Sequence, residues 1–173
     1  IWALMFTFAG MPGFDAINHA MTTLATGGFS TRTASIGAFD NSIVEMLVIG
    51  GMVVGSLPFA HYLAMTRGGW KNLIEDPQVR WFVAIVATVS LLITFQLMSS
   101  IDLTFLDALR QASFNTVSLM TGTGYSSTDY ELWGGQTTVI LLIAMFIGGC
   151  AGSTTCGIKM FRLQVLAATA KVQ

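Results

Sequence analysis

Charge is what this sequence has least of. Only 10% of its 173 residues are Asp, Glu, Lys or Arg, against 53% hydrophobic, and the mean hydropathy is +0.68. Soluble domains carry about a quarter charged residues, so the chain lacks the material for a solvated shell and falls in the membrane class. A net charge of −1 leaves no basic excess with which to hold nucleic acid. Cysteine is scarce too: Cys150 and Cys156 stand alone in an apolar, Gly-rich stretch. Their spacing matches no metal-ligand pattern and suggests no disulfide framework, so they read as small packing residues. No G-x-G-x-x-G or P-loop motif is present, and no organic cofactor is expected of this chain. The apolar runs hold no His/Asp/Glu cluster or Ser–His pairing, which argues against an enzyme. An initiator Met and a basic leading region are also missing, so no signal peptide is expected. The apolar opening, residues 1–8, is shorter than the roughly 20 residues a span needs. Residues 1–11 are therefore expected to end a preceding transmembrane helix, and the sequence to be an internal piece of a longer protein.

What is present is apolar length. Residues 43–64, 81–98 and 137–166 each have spanning length, the last interrupted between Gly148 and Gly157. Two shorter segments, 14–25 and 105–120, run into Gly/Thr-rich stretches. The intervening loop, 66–80, holds Arg67, Lys71 and Arg80, and Lys159, Arg162 and Lys171 follow the third run. These six of the eight basic residues share one face, expected to be cytoplasmic by the positive-inside rule. The other face holds Asp15, Asp40, Glu45, Asp102, Asp107, Asp129 and Glu131. Those acids either enrich cations at a pore mouth or form an ordinary solvated face.

One unit occurs twice. The first copy has Phe14-Asp15-Ala16, then Ala25-Thr26-Gly27-Gly28-Phe29-Ser30-Thr31, then Ile49-Gly50-Gly51 and Gly55-Ser56. The second has Leu106-Asp107-Ala108, then Thr121-Gly122-Thr123-Gly124-Tyr125-Ser126-Ser127, then Ile147-Gly148-Gly149 and Gly152-Ser153. Aligning Gly28 with Gly124 sets an offset of 96, with small indels elsewhere. The expected unit is span, short helix, extended loop, span: a re-entrant pore loop. Irregular backbone at membrane depth persists only where protein buries it or where it lines a water-filled path. Facing an ion, such carbonyls replace part of its hydration shell, and glycine permits the positive φ that aims them. Phe29 and Tyr125 are expected to wedge the loops against the short helices, whose C-terminal dipole ends favour a cation.

The Ala25–Thr31 motif (residues 25–31) and Gly148-Gly149-Cys150-Ala151-Gly152-Ser153-Thr154-Thr155-Cys156-Gly157-Ile158-Lys159 resemble the Trk-type potassium uptake proteins of bacteria, the TrkH/TrkG/KtrB superfamily. The resemblance covers essentially the whole chain. It implies an all-α membrane protein of four tandem, non-identical units around one pore, two of them present here. The first would comprise residues 12–65, with pore helix, filter and second span, joined by a cytoplasmic loop at 66–80 to the next unit at 81–173. Carried over, Thr26, Gly27, Gly28 and Phe29, with Gly122, Thr123, Gly124 and Tyr125, become filter residues whose carbonyls bind potassium. Ser30 and Ser126 stand where a potassium channel's second filter glycine would be. Gly148, Gly149, Gly152, Ser153, Thr154, Thr155, Gly157 and Lys159 become an intramembrane gating loop. The resemblance further implies a multi-pass protein of the bacterial inner membrane, in contact with lipid. Its implied partners are a second copy in a homodimer and a cytoplasmic nucleotide-binding regulator of the TrkA/KtrA type. The alternative is a secondary transporter of another cation or small solute, bound at the midplane by broken helices. Such transporters often use inverted units, whereas the two copies here run in the same direction.

The remaining polar residues read as structural. His19 is expected to make a hydrogen bond within its helix, His61 to be packed or interfacial, and Asp15 and Asp107 to occupy matching N-terminal positions. Arg32 either anchors the outer end of the first loop or is an exposed charge.

Overall fold

A computed structural model describes residues 1–101 and 103–172. Asp102, one of the outer-face acids, lies outside the described residues. Nine α-helices and two short 3-10 turns make up the regular structure there, and among the described residues there is no β-strand.

The longest helix shows how sequence becomes element. Asp76 accepts a hydrogen bond from the Gln78 amide at 2.7 Å, Pro77 occupies the first turn, and α6 then runs Pro77–Ser100. At about 1.5 Å per residue it is long enough for a hydrocarbon core of about 30 Å. Its outward side chains include Val83, Leu92 and Phe95, all exposed. It is the single continuous helix, among the described residues, long and apolar enough to cross a membrane.

The other two apolar runs are broken. Residues 43–64 form not one span but α3 (Ser42–Gly55) and α4 (Phe59–Met65), bent by 94°. Pro58 has no amide hydrogen and disfavours helical backbone at Leu57, so the ladder stops. Residues 137–166 divide into α8 (Gly135–Met145) and α9 (Met160–Val172), with irregular backbone between. The expected loop 66–80 is also partly helical. It contains α5 (Trp70–Glu75) and the first turn of α6.

The short helices are α2 (Gly13–Leu24) and α7 (Phe105–Thr121), preceded by α1 (Trp2–Phe8). Helix α7 stands at the centre. Phe114 and Val117 pack with Phe6 of α1 and with Val44, Val48 and Met52 of α3, while Ala108 and Ala112 pack with Ile93 and Leu97 of α6 and Leu141 of α8.

An ion pair joins α7 to α3. Arg110 of α7 donates to both carboxylate oxygens of Glu45 at 3.2 Å and to Ser42 Oγ at 3.1 Å. Glu45 is buried, so removing its partner strands a carboxylate away from water. Arg110→Met is expected to cost about 2 kcal/mol, below the range for fully buried pairs because Arg110 is partly exposed. Thermal unfolding of the detergent-solubilised protein measures it, and an unchanged midpoint would show that Glu45 finds another partner.

Candidate ion path

Helices α2 and α7 each end in a left-turning loop. After Leu24 the chain passes through Thr26 at φ 48° and Gly28 at φ 68°. After Thr121 it passes through Gly122 at φ 72° and Gly124 at φ 81°. The positions correspond pairwise at the offset of 96. The two loops lie side by side, and the Thr123 carbonyl oxygen sits so close to Gly28 that a β-carbon there would overlap it. Glycine is therefore required at position 28 twice over, by its dihedral and by its neighbour.

The residue after each glycine is held by its own helix. Ser118 Oγ donates to the Tyr125 carbonyl at 2.6 Å, seven residues on. Thr22 Oγ stands 3.0 Å from the Phe29 carbonyl, also seven residues on. The Tyr125 hydroxyl crosses between units, touching Thr22 Oγ and lying 3.3 Å from the Phe29 carbonyl. Tyr125 is 1% exposed and packs with Phe114 and Val117 of α7. Phe29, expected to wedge in the same way, is 78% exposed, its ring folded over Gly27. Its main chain faces the second unit, whereas its ring meets no core there.

The outer ends are tied by polar side chains. Thr31 donates to Asp15 at 2.7 Å and Arg32 at 2.7 and 3.2 Å, so Arg32 is an anchor. The Thr31 hydroxyl and the Arg32 guanidinium hold the Asp15 carboxyl below the usual carboxylate range. A depressed carboxyl contributes stability in full above the unfolded value near 4 and loses it as pH falls through the lower folded value. Asp15→Asn is thus expected to lower the thermal midpoint by an amount constant from about pH 7 to 5 and shrinking below about pH 4. A gap unchanged in acid would refute the clamp's electrostatic origin. Asp107 is not its equivalent. Counted back from the glycines, Asp107 lies one turn further out, because α7 is longer, and it pairs locally with Thr104 at 2.6 Å.

His19 is buried, with Nδ1 at 2.7 Å from the Asp15 carbonyl and Nε2 at 3.0 Å from Ser30 Oγ. A carbonyl only accepts, so Nδ1 carries the proton in the neutral ring and Nε2 accepts from Ser30. Asn115, at the same place in α7, donates to Ser127 Oγ at 3.2 Å. The second loop's outer end also engages the first unit, where Gly37 donates to the Ser126 carbonyl at 3.1 Å. Beside Gly124 a polar cleft of about 420 Å³ opens, lined in part by Asp129 and Glu131.

Beneath the loops lies the 146–159 segment. Its neck is closed by Gly148 N–H to the Ile158 carbonyl and Ile158 N–H to the Phe146 carbonyl, both 2.9 Å. Gly149 N–H donates to Thr155 Oγ at 3.0 Å, and turns at Gly152 (φ 75°) and Gly157 (φ 79°) shape the rest. Ser153 caps the Cys150 carbonyl at 2.6 Å, and the Lys159 ammonium donates to the Thr155 carbonyl. The bend after α3 supplies the remaining anchors. Carbonyls of Gly55 and Ser56, freed from the helix, accept from Thr154 N–H at 3.2 Å and Cys150 N–H at 3.1 Å. The segment meets both loops: Thr154 Oγ lies 3.2 Å from Thr26 Oγ, and Cys156 Cβ lies 3.0 Å from where a β-carbon of Gly122 would be.

The family model for TrkH, described as a cation transport protein, matches residues 4–173. The chain belongs to the TrkH family. It is 41% identical over 165 residues to the Trk system potassium uptake protein TrkI of Halomonas elongata, covering 94% of this chain and 33% of that one. It is 37% identical over 166 residues to TrkG of Escherichia coli K12, covering 93% and 33%. Among solved structures, the potassium transporter TrkH from Vibrio parahaemolyticus matches with a TM-score of 0.91 at 35% identity, over 98% of this chain and 38% of that one. This TrkH-family chain thus spans about a third of the length of its relatives, which are transporters by name, not enzymes.

Several residues that shape these loops carry little or no signal in the sequence. Pro58 was a visible signal for the bend, outweighed by the apolar run around it. Gln78, which accepts from Ala151 N–H at 3.0 Å, and Ser35, which accepts from Ser126 N–H at 3.3 Å, carry no local signal.

Proposed function

We propose that this chain contributes two of the four walls of a potassium-conducting path in a Trk-type uptake system of the bacterial inner membrane. The observation that carries the reading is the apposition of the Gly28 and Gly124 loops, backbone against backbone, at the C-terminal ends of α2 and α7. A dehydrated potassium ion needs oxygen ligands without a fixed countercharge. Carbonyls of Thr26, Gly27 and Gly28, with those of Gly122, Thr123 and Gly124, supply them at the negative ends of two helix dipoles. Phe29 and Tyr125 close the loops. The polar cleft with Asp129 and Glu131 raises cation concentration at the outer mouth.

The 146–159 segment acts as the gate. Its closed form rests on Thr154, which joins it to the first loop, and on Lys159, whose charge sits on the Thr155 carbonyl and opposes a cation passing there. Opening requires these contacts to be exchanged, a change that a cytoplasmic nucleotide-binding regulator could drive through α4 and α9. A homodimer embedded in lipid completes the assembly. The same-direction order of the two units favours a channel-like path over an alternating-access transporter.

Rubidium flux into vesicles containing the full-length protein tests this reading. Gly124→Ser, which strains the positive φ, is expected to change the rubidium-to-sodium flux ratio. An unchanged ratio with normal flux would refute the filter assignment.

A further inference from the structure

We infer that Thr22 and Ser118 are positioning residues that set how many backbone oxygens the ion path contains. The inference rests on the filter reading above and adds to it a mechanism for the filter's length. A strand that continued past its glycine in the same alternation would aim the next carbonyl inward as a further ligand. In both loops that carbonyl is instead drawn back to the helix by a hydroxyl seven residues earlier, at 2.6 Å in one loop and 3.0 Å in the other.

The second loop shows the constraint most fully. The peptide between Tyr125 and Ser126 is held on both sides: its carbonyl by Ser118, its N–H by Ser35 Oγ at 3.3 Å. The Ser118–Tyr125 bond is buried, where an unmade hydrogen bond is most costly. In the first loop the Phe29 carbonyl has two hydroxyls within reach, Thr22 and Tyr125, so one proton remains available to it whichever way Thr22 turns. Both devices sit where Ser30 and Ser126 replace a second glycine. The hydroxyls thus stabilise a filter that ends one carbonyl layer early, independent of the chemistry of the residue that follows.

The two positions match at the repeat offset while the residue type differs, Thr in one and Ser in the other. What they share is a hydroxyl. A helix-packing role would be met by the methyl of Thr or by Ala; the hydrogen bond would not.

The test uses full-length protein in vesicles and compares rubidium with sodium flux for Ser118→Ala, Ser118→Thr, Thr22→Ser and, because the Tyr125 hydroxyl can also hold the Phe29 carbonyl, the double variant Thr22→Val/Tyr125→Phe. Loss of the hydroxyl is expected to shift the flux ratio by on the order of threefold or more, toward rubidium, as a further carbonyl joins the path. The hydroxyl-retaining variants are expected to keep the wild-type ratio. If total flux in a variant is too low to compare, the difference in thermal midpoint between potassium and sodium solutions is read instead. An unchanged ratio or midpoint difference in the hydroxyl-less variants overturns the inference, as does an equal shift in the hydroxyl-retaining ones. Gly124→Ser separates the two failures. If it alters the ratio and Ser118→Ala does not, only the positioning role falls; if neither does, the filter reading falls with it.

Discussion

Gly28→Ala is expected to cut rubidium uptake by about tenfold or more, while Gly124→Ala lowers it less. Both glycines have positive φ, 68° and 81°, which costs an L-residue about 1–2 kcal/mol. Only Gly28 also faces backbone. Its β-carbon would overlap the Thr123 carbonyl oxygen, whereas nothing lies within 4 Å of the corresponding position on Gly124. A backbone oxygen cannot rotate aside as a side chain can, so the second loop must shift as a whole. If uptake requires the two loops in register, displacement of one by a few tenths of an ångström disturbs every ligand at once. Flux at matched protein amounts, with size-exclusion profiles to show assembly, measures the order. Equal losses at the two sites would mean that the close approach has no functional weight.

The second large effect belongs to the neck of the 146–159 segment. Gly148→Ala places a methyl group into the Cys156 carbonyl, next to the two hydrogen bonds that close the neck. Overpacking of this kind costs about 1–3 kcal/mol. Gly152→Ala is the control, since that turn has positive φ but open space. Gly148→Ala is expected to lower the thermal midpoint more than Gly152→Ala and to raise flux when the regulator is absent, because the segment beneath the loops loses its closure. A stable Gly148→Ala protein with tight resting flux would show that the neck does not hold the gate.

Much of the fold could be read from residues alone. The short helices, expected at 14–25 and 105–120, run Gly13–Leu24 and Phe105–Thr121, and the third apolar run breaks where the glycines cluster. Glycine, proline and apolar runs act locally, so they leave a local signature. Pro58 leaves the same kind of signature, and the bend it starts provides the Gly55 and Ser56 carbonyls that anchor the lower segment. The doubled motif is legible only in outline: Phe14-Asp15-Ala16 and Leu106-Asp107-Ala108 match in sequence, but the extra turn of α7 sets Asp107 further from its glycine, and the two acids have different partners.

By itself, then, the sequence determined the family, the all-helical content and, at the Gly/Thr-rich stretches, the places where helix gives way to loop. The helices and their breaks follow from side-chain hydropathy and from the backbone freedom of single residues. Only the tertiary structure decided that Thr123 meets Gly28, that Tyr125 rather than Phe29 is the buried wedge, and that Arg110 answers Glu45. The reason is the same in each case: the partner lies tens of residues away, and whether an oxygen points at an ion, a helix or a neighbouring loop depends on the packing that brings the partner near.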